Sequence, residues 1–209
     1  MYIPRQFDEQ RPEVLQALMR AHPLGTLVTL AASGLNANHV PFEFDAEAGE
    51  HGTLRAHIAR ANPLWTDFAS DVEALVVFQG AQCYISPGWY PTKQEDGRAV
   101  PTYNYMTVHA YGPLRIIQDA QWIRAQLERL SARQEAGQAQ PWKISDAPPE
   151  YIEKMLGAIV GIEIPVTRIA GKWKVSQNQP AVNREGVARA LRAQGGDVAL
   201  VMAEAVVSR

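Results

Sequence analysis

Between residues 84 and 109 the chain collects Tyr84, Trp89, Tyr90, Tyr103 and Tyr105, with Lys93 and Asn104 set among them. A strand that serves only as core alternates aliphatic with polar residues. Flat rings interleaved with an amide and a cation suit a planar, partly polar ligand or a partner subunit. Upstream, the run His57-Ile58-Ala59-Arg60-Ala61-Asn62-Pro63 places a guanidinium and an amide where a strand end meets a helix start. Unpaired helix N–H groups attract an anion there and arginine adds a bidentate donor, so the run reads either as a phosphate site or as ordinary surface.

His39 lies in Asn38-His39-Val40-Pro41, ahead of a polar connection at 45–52 that precedes His57. A hairpin around that connection would bring the two histidines near cross-strand register on one face. They then read as structural histidines bonded to backbone, as part of a ligand pocket or, with a third ligand that no spacing supplies, as a metal site. Lys93 reads as a solvated loop cation or as one facing a ligand phosphate. Asn104, inside a strand, must find hydrogen-bond partners if buried. The lone Cys83 reads as a small buried hydrophobe, since no neighbouring base or cation activates it. Glycine-rich dinucleotide loops, a P-loop and a nucleophile elbow are all missing from the sequence.

The elements that must position these residues follow from pattern. Residues 8–20 predict a helix with Asp8 as N-cap, Pro12 in the first turn and an apolar face of Val14, Leu15, Leu18 and Met19. Strands are predicted at 25–30, 35–44, 53–58, 74–78 and 82–86, the last two separated by Gly80, with a short helix opening at Asn62-Pro63. Residues 100–117 form one bent strand or two strands broken at Gly112-Pro113. A helix capped by Asp119 runs to about 135, and another opens at Pro148-Pro149. A strand pair over 160–175 breaks at Gly171, a helix over 183–194 stops at Gly195-Gly196, and 198–207 is an apolar tail. An antiparallel meander with an inserted helix is the pattern of a small barrel, and the class is α+β.

The chain has 209 residues, a formal charge of −2 and a pI near 6.2. That length suits one domain with a real core, and the charge argues against a non-specific nucleic-acid or anionic-membrane binder. The first residues lack the basic and apolar regions of a secretory signal, and no apolar run approaches the roughly 20 residues of a membrane span. A cytoplasmic protein is expected.

Taken in order, several segments form one pattern: Met1-Tyr-Ile-Pro-x-x-Phe7, His39-x-Pro41-Phe42, His57-x-Ala59-Arg60-x-Asn62-Pro63, Tyr84-Ile-Ser-Pro-x-Trp-Tyr-Pro-x-Lys93 and Val100-Pro-Thr-x-Asn-Tyr-x-x-Val-His-Ala110. Met155-Leu-x-x-Ile-Val-Gly-x-Glu163, Gly171-Lys-Trp-Lys174, Ser176-Gln-Asn178 and Asn183-Arg-x-Gly-Val187 complete it. In order and spacing the chain resembles the PaiB family of FMN-binding negative transcriptional regulators. The resemblance implies a single split β-barrel domain over 1–209 of the flavin-reductase and pyridoxamine-phosphate-oxidase type. The barrel core would lie at about 22–118 plus 160–176, with helical decorations at 8–20, 119–136, 148–159 and 183–194. It further implies a homodimer with FMN at the subunit interface. Asn38, His39, Val40 and Pro41 would line the isoalloxazine, and His57, Ile58, Arg60 and Asn62 would face the ribityl chain and phosphate. Lys93, Tyr103, Asn104, Tyr105, Ser176, Gln177 and Asn178 would complete the pocket. DNA is a partner implied by the family's role, without a basic face or a helix-turn-helix to support it. A flavin-dependent oxidoreductase, or a split barrel holding another planar ligand such as haem, is the alternative.

Overall fold

The computed structural model describes residues 1–208, with the backbone alone at position 96. In chain order the elements are β1 (Asp8–Glu9), α1 (Pro12–Ala21), β2 (Leu24–Ala31), β3 (Gly34–Pro41), β4 (Glu43–Asp45), β5 (Thr53–Ala59), β6 (Ala74–Ile85) and α2 (Lys93–Asp96). They continue with β7 (Thr102–Gly112), β8 (Arg115–Ile117), α3 (Ala120–Glu135), α4 (Pro149–Gly157), β9 (Ile159–Pro165), β10 (Arg168–Lys174), α5 (Ala181–Gln194) and α6 (Asp197–Val207). These fall into two compact units. One holds Met1–Leu18, Gln79–His109 and the chain from Ala170 onward; the other holds Met19–Phe78 and Ala110–Ile169.

In the second unit β2 pairs antiparallel with β3 on one side and with β6 on the other. A separate antiparallel sheet has the order β4-β5-β9-β8. The strand predicted over 35–44 is therefore two strands in two sheets, because the chain turns at Phe42. The Phe42 amide donates to the Pro23 carbonyl at 2.8 Å, and its ring meets Phe78 edge-on at 5.9 Å between centroids. Room for that corner comes from Gly25, where a Cβ would lie 2.7 Å from Val76 and 3.1 Å from the Phe42 ring. The turn also overturns the expected histidine pair. His39 lies opposite Thr26 on β2, and His57 lies opposite Gly161 on β9.

Helix α3 covers the outer face of the four-stranded sheet. Asp119 caps it as the sequence predicts, accepting from the Trp122 amide at 2.8 Å. The Trp122 ring occupies the place a Cβ on Gly161 would need, at 2.5 Å. Beneath the helix, Arg55 donates to Asp45 at 2.6 Å and to Glu163 at 3.1 Å, while Arg129 donates to Glu43 at 2.7 Å. Ile123 packs with Ile144, Ile152 and Leu156 to seat α4 on α3.

The first unit orders its strands β1-β10-β7-β6. Asp8 does not cap a helix: it sits in β1 opposite Lys172, and α1 starts only at Pro12. β6 runs unbroken through Gly80, whose missing side chain admits Leu18 at 3.0 Å. Gly171 is likewise inside a strand, with Leu15 2.2 Å from a built Cβ, and the turn between β9 and β10 comes at residues 166–167 instead. The apolar tail is the helix α6, burying Ala199, Met202, Ala203 and Val206 at i, i+3, i+4 and i+7. No helix among the described residues is long and apolar enough to cross a membrane.

Two predictions follow from this packing. Gly25→Ala forces the Val76 side chain and the Phe42 corner apart and lowers stability by about 1–3 kcal/mol in urea unfolding; a loss within experimental error contradicts the corner argument. The Arg55 hydrogen bond, first among its causes, holds the Asp45 carboxyl below its ordinary pKa. Asp45 therefore stabilises fully above the unfolded carboxyl's value of about 4 and loses that contribution as pH falls through the lower folded value. Asp45→Asn should cost up to about 1 kcal/mol at pH 7, since the pair is partly solvated. That cost should shrink as pH falls below about 4, and a loss that stays constant over the acid range would reject the pairing.

Candidate functional site

The residues singled out from the sequence separate into two sets, one in each unit. In the second unit, Asn62 receives the Leu64 amide on Oδ1 at 3.0 Å, capping a single 3-10 turn over Pro63–Trp65, and donates from Nδ2 to Asn38 Oδ1 at 2.8 Å. Asn38 in turn donates to Asn36 Oδ1 at 3.2 Å. Two segments twenty-four residues apart in the chain are thus joined by one amide–amide bond. His39 and Pro41 are exposed beside them, while Val40 and Ile58 point into the core.

Arg60 sits where β5 ends. Its Nε donates to the Gly157 carbonyl at 2.9 Å, Nη2 to the Ile159 carbonyl at 3.1 Å and Nη1 to Gln118 Oε1 at 3.2 Å. The guanidinium closes the C-terminal end of α4, where a cation complements the free carbonyls. It also lies over the Trp65 ring at 5.7 Å. Three of its five N–H groups are committed, and one hydrogen on each terminal nitrogen remains for another acceptor.

His57 is half-buried, and its Nδ1 lies 3.0 Å from Gln126 Oε1 on α3. Gln126 is fully buried, and its Nε2 has no partner among the described residues. With the carbonyl end facing the ring, Nδ1 donates and the Nε2 lone pair of His57 is left for a ligand. Sequence reasoning missed Gln126: its partner is 69 residues away, and a glutamine inside a helix gives no local sign of burial.

In the first unit, Asn104 is 1% exposed and donates from Nδ2 to Ser176 Oγ at 2.9 Å. Ser176 adopts φ = +66°, left-handed backbone that costs a non-glycine residue about 1–3 kcal/mol. Gln177 clasps the bend, accepting from the Val175 amide at 2.7 Å and donating to the Trp173 carbonyl. Asn178 is exposed. Tyr103, also exposed, meets Tyr84 edge-on at 5.8 Å, and Tyr105 carries the Lys172 ammonium 5.2 Å from its ring centroid. Lys93 is exposed at the start of α2 and borders a concavity shared with Trp89 and Arg189. A separate cavity of about 330 Å³ is lined by Asn104, Ser176, Asn178, Asn183, Arg98 and Lys174, among others. Neither of those two cations stood out as a site residue in the sequence, although Lys174 ends the segment Gly171-Lys-Trp-Lys. Burial raises the pKa of the Cys83 thiol, in keeping with an unreactive side chain.

Gln126→Leu should release His57 from the Nδ1-protonated tautomer. Two-bond ¹H–¹⁵N correlation of the imidazoles reads this directly: the wild type shows Nδ1–H, the variant shifts toward Nε2–H. An unchanged tautomer in the variant would show that Gln126 does not orient the ring.

A family model described as "Putative FMN-binding domain" matches residues 1–168. An uncharacterized protein of Emericella nidulans is 34% identical, the alignment covering 100% of this chain and 97% of that protein. The Bacillus subtilis protein named protease synthase and sporulation protein PAI 2 is 30% identical over 98% of this chain and 95% of its own length. Among solved structures, the flavocytochrome Anf3 from Azotobacter vinelandii superposes with a TM-score of 0.59 at 13% identity, covering 82% of this chain and 72% of that one. The FAD and heme binding protein from Mycobacterium smegmatis also gives 0.59, at 16% identity, covering 91% and 80%. The fold is α+β with antiparallel sheets, of the split-barrel kind expected from the sequence.

Proposed function

Since the chain belongs to the FMN-binding domain family that includes the Bacillus subtilis PAI 2 protein, we propose that it is an FMN-binding regulator. In this reading it is a single split-barrel domain that forms a homodimer and holds the flavin at the subunit interface. The observation that carries it is the Asn38–Asn62 bond of 2.8 Å, which ties the segment expected at the ring to the segment expected at the phosphate. The donor set fits the cofactor. Asn38 and Asn62 supply amides, His57 keeps one ring nitrogen for a ligand, and Arg60 keeps hydrogens on both terminal nitrogens.

The outward face of β2 and β3 supports the dimer. Leu35 is 82% and Leu24 62% exposed, with Leu30, Ala37, His39 and Pro41 on the same face. An exposed, largely apolar face of this kind, interrupted by Thr26 and His39, suits an interaction site. In such a dimer Tyr103, Asn104, Tyr105, Ser176, Gln177 and Asn178 close the flavin site. Bound FMN supplies the electron-transfer chemistry, and the chain supplies binding and orientation. The regulatory half of the reading leans on the PAI 2 relative, a protein named for protease synthesis and sporulation.

The purified protein should be yellow, with a flavin spectrum, about one FMN per subunit and the mass of a dimer in light scattering. Arg60→Ala should weaken FMN more than riboflavin, by about tenfold or more for a lost charged hydrogen bond to phosphate. Equal losses for both flavins would confine Arg60 to holding the end of α4. A colourless protein that takes up no FMN would defeat the cofactor assignment. Rapid bleaching by a nicotinamide cofactor, without DNA binding that survives competitor, would replace the regulator by an oxidoreductase.

A further inference from the structure

We propose that the cavity lined by Lys174, Arg98, Asn104 and Ser176 binds the oxyanion group, carboxylate or phosphate, of a small acid other than the flavin. The inference deepens the flavin reading by giving that site a second, acidic ligand, a substrate or signal. At about 330 Å³ the cavity is at the small end of the ~300–1,000 Å³ range of ligand pockets.

Charge argues for the ligand class. The cavity is lined by two cations, Arg98 and Lys174, and by no Asp or Glu among the described residues, in a chain with 22 acidic and 20 basic side chains. Lys174 is half-buried, yet its ammonium donates only to neutral oxygens, Thr102 Oγ1 and the Tyr103 carbonyl at 2.7 Å. No carboxylate among the described residues pairs with it. Burial, and then the neighbouring Lys172, pulls its pKa below the ordinary lysine value. Arg55, Arg129 and Arg192 show the usual arrangement, each with a carboxylate at 2.6 or 2.7 Å. A partly buried cation with no countercharge is costly, and an oxyanion in the cavity supplies what is missing.

The hydrogen-bond inventory points the same way. Ser176 is 3% exposed, its Oγ accepts from Asn104, and its own hydroxyl hydrogen has no acceptor among the described residues. Lys174 keeps its third hydrogen. Both are donors without acceptors, lining a concave space. The first turn of α5 adds to this, since it carries no acidic residue and Pro180 cannot cap it with a side chain.

The test uses the full-length protein as isolated, melted in sodium phosphate, in sodium acetate and in sodium chloride at equal ionic strength. Phosphate or acetate should raise Tm saturably above chloride, and the more effective of the two identifies the acid. Lys174→Met should weaken that anion by at least about tenfold, the loss of a charged hydrogen-bond partner. It should also leave Tm in chloride unchanged or higher, because an uncompensated cation has been removed. No anion effect in the wild type, or an equal effect in the variant, overturns the proposal. Flavin absorbance per subunit is read in the same samples. If Lys174→Met loses flavin while keeping the anion response, the proposal falls and the flavin reading stands. An anion response in a protein that holds no flavin leaves the proposal and removes the flavin reading.

Discussion

The corner at Phe42 is the constraint from which the second unit takes its form. One buried ring, held edge-on against Phe78 and admitted by the bare Cα of Gly25, sends consecutive strands into different sheets. Without that turn, 35–44 would continue as one strand and could pair along its whole length with 53–58, instead of only through Glu43 and Phe44. With it, β3 lies beside β2 and β5 lies between β4 and β9. The side chains that follow are then distributed by sheet. Asn38 and His39 belong to one, His57 to the other, and Asn62 at the end of β5 reaches back to Asn38. A packing decision between two phenylalanines thus determines which polar groups are available together.

Charge is handled differently in different parts of the molecule. On the face beneath α3, arginines and carboxylates neutralise one another in partly buried pairs: Arg55 ties β5 to β4 and β9, and Arg129 ties α3 to Glu43 on β4. Such partly solvated pairs each contribute modestly to stability. Arg60 does a related job with carbonyls at the end of α4. Lys174 and Ser176 depart from this economy, because their donors are not all consumed by protein acceptors. Gln126 departs from it as well, with one buried amide nitrogen unpaired.

Much of this was legible in the amino-acid sequence. The β-branched runs located β2 and β5, Asp119 announced the start of α3, and Gly195-Gly196 the end of α5. The glycines were less obliging. Gly80 and Gly171 read as breaks, but each is a point of close approach inside a strand, and a sequence does not distinguish missing bulk from a bend. The segment 198–207 read only as an apolar tail, because its exposed valines and leucine hide the helical period that its buried residues obey. Arg60 was picked out by its junction with Asn62, yet nothing local said that two of its donors would be taken by carbonyls nearly a hundred positions away and a third by Gln118, 58 positions away. Long-range hydrogen-bond partners are the part of a site that composition and spacing do not encode. Gln126 and its histidine are the plainest case.

β3 ends its sheet, and the run Gly-Leu-Asn-Ala-Asn-His-Val-Pro carries neither lysine nor carboxylate. Most proteins guard such an edge with charge, a bulge or a covering element. Here Pro41 at one end is the only guard within the strand, and leucines flank it on the outward face. While uncovered, such an uncharged edge is a template for pairing with another strand. Covering β3 would therefore do more than bury apolar area: it would also close off a route to mispairing.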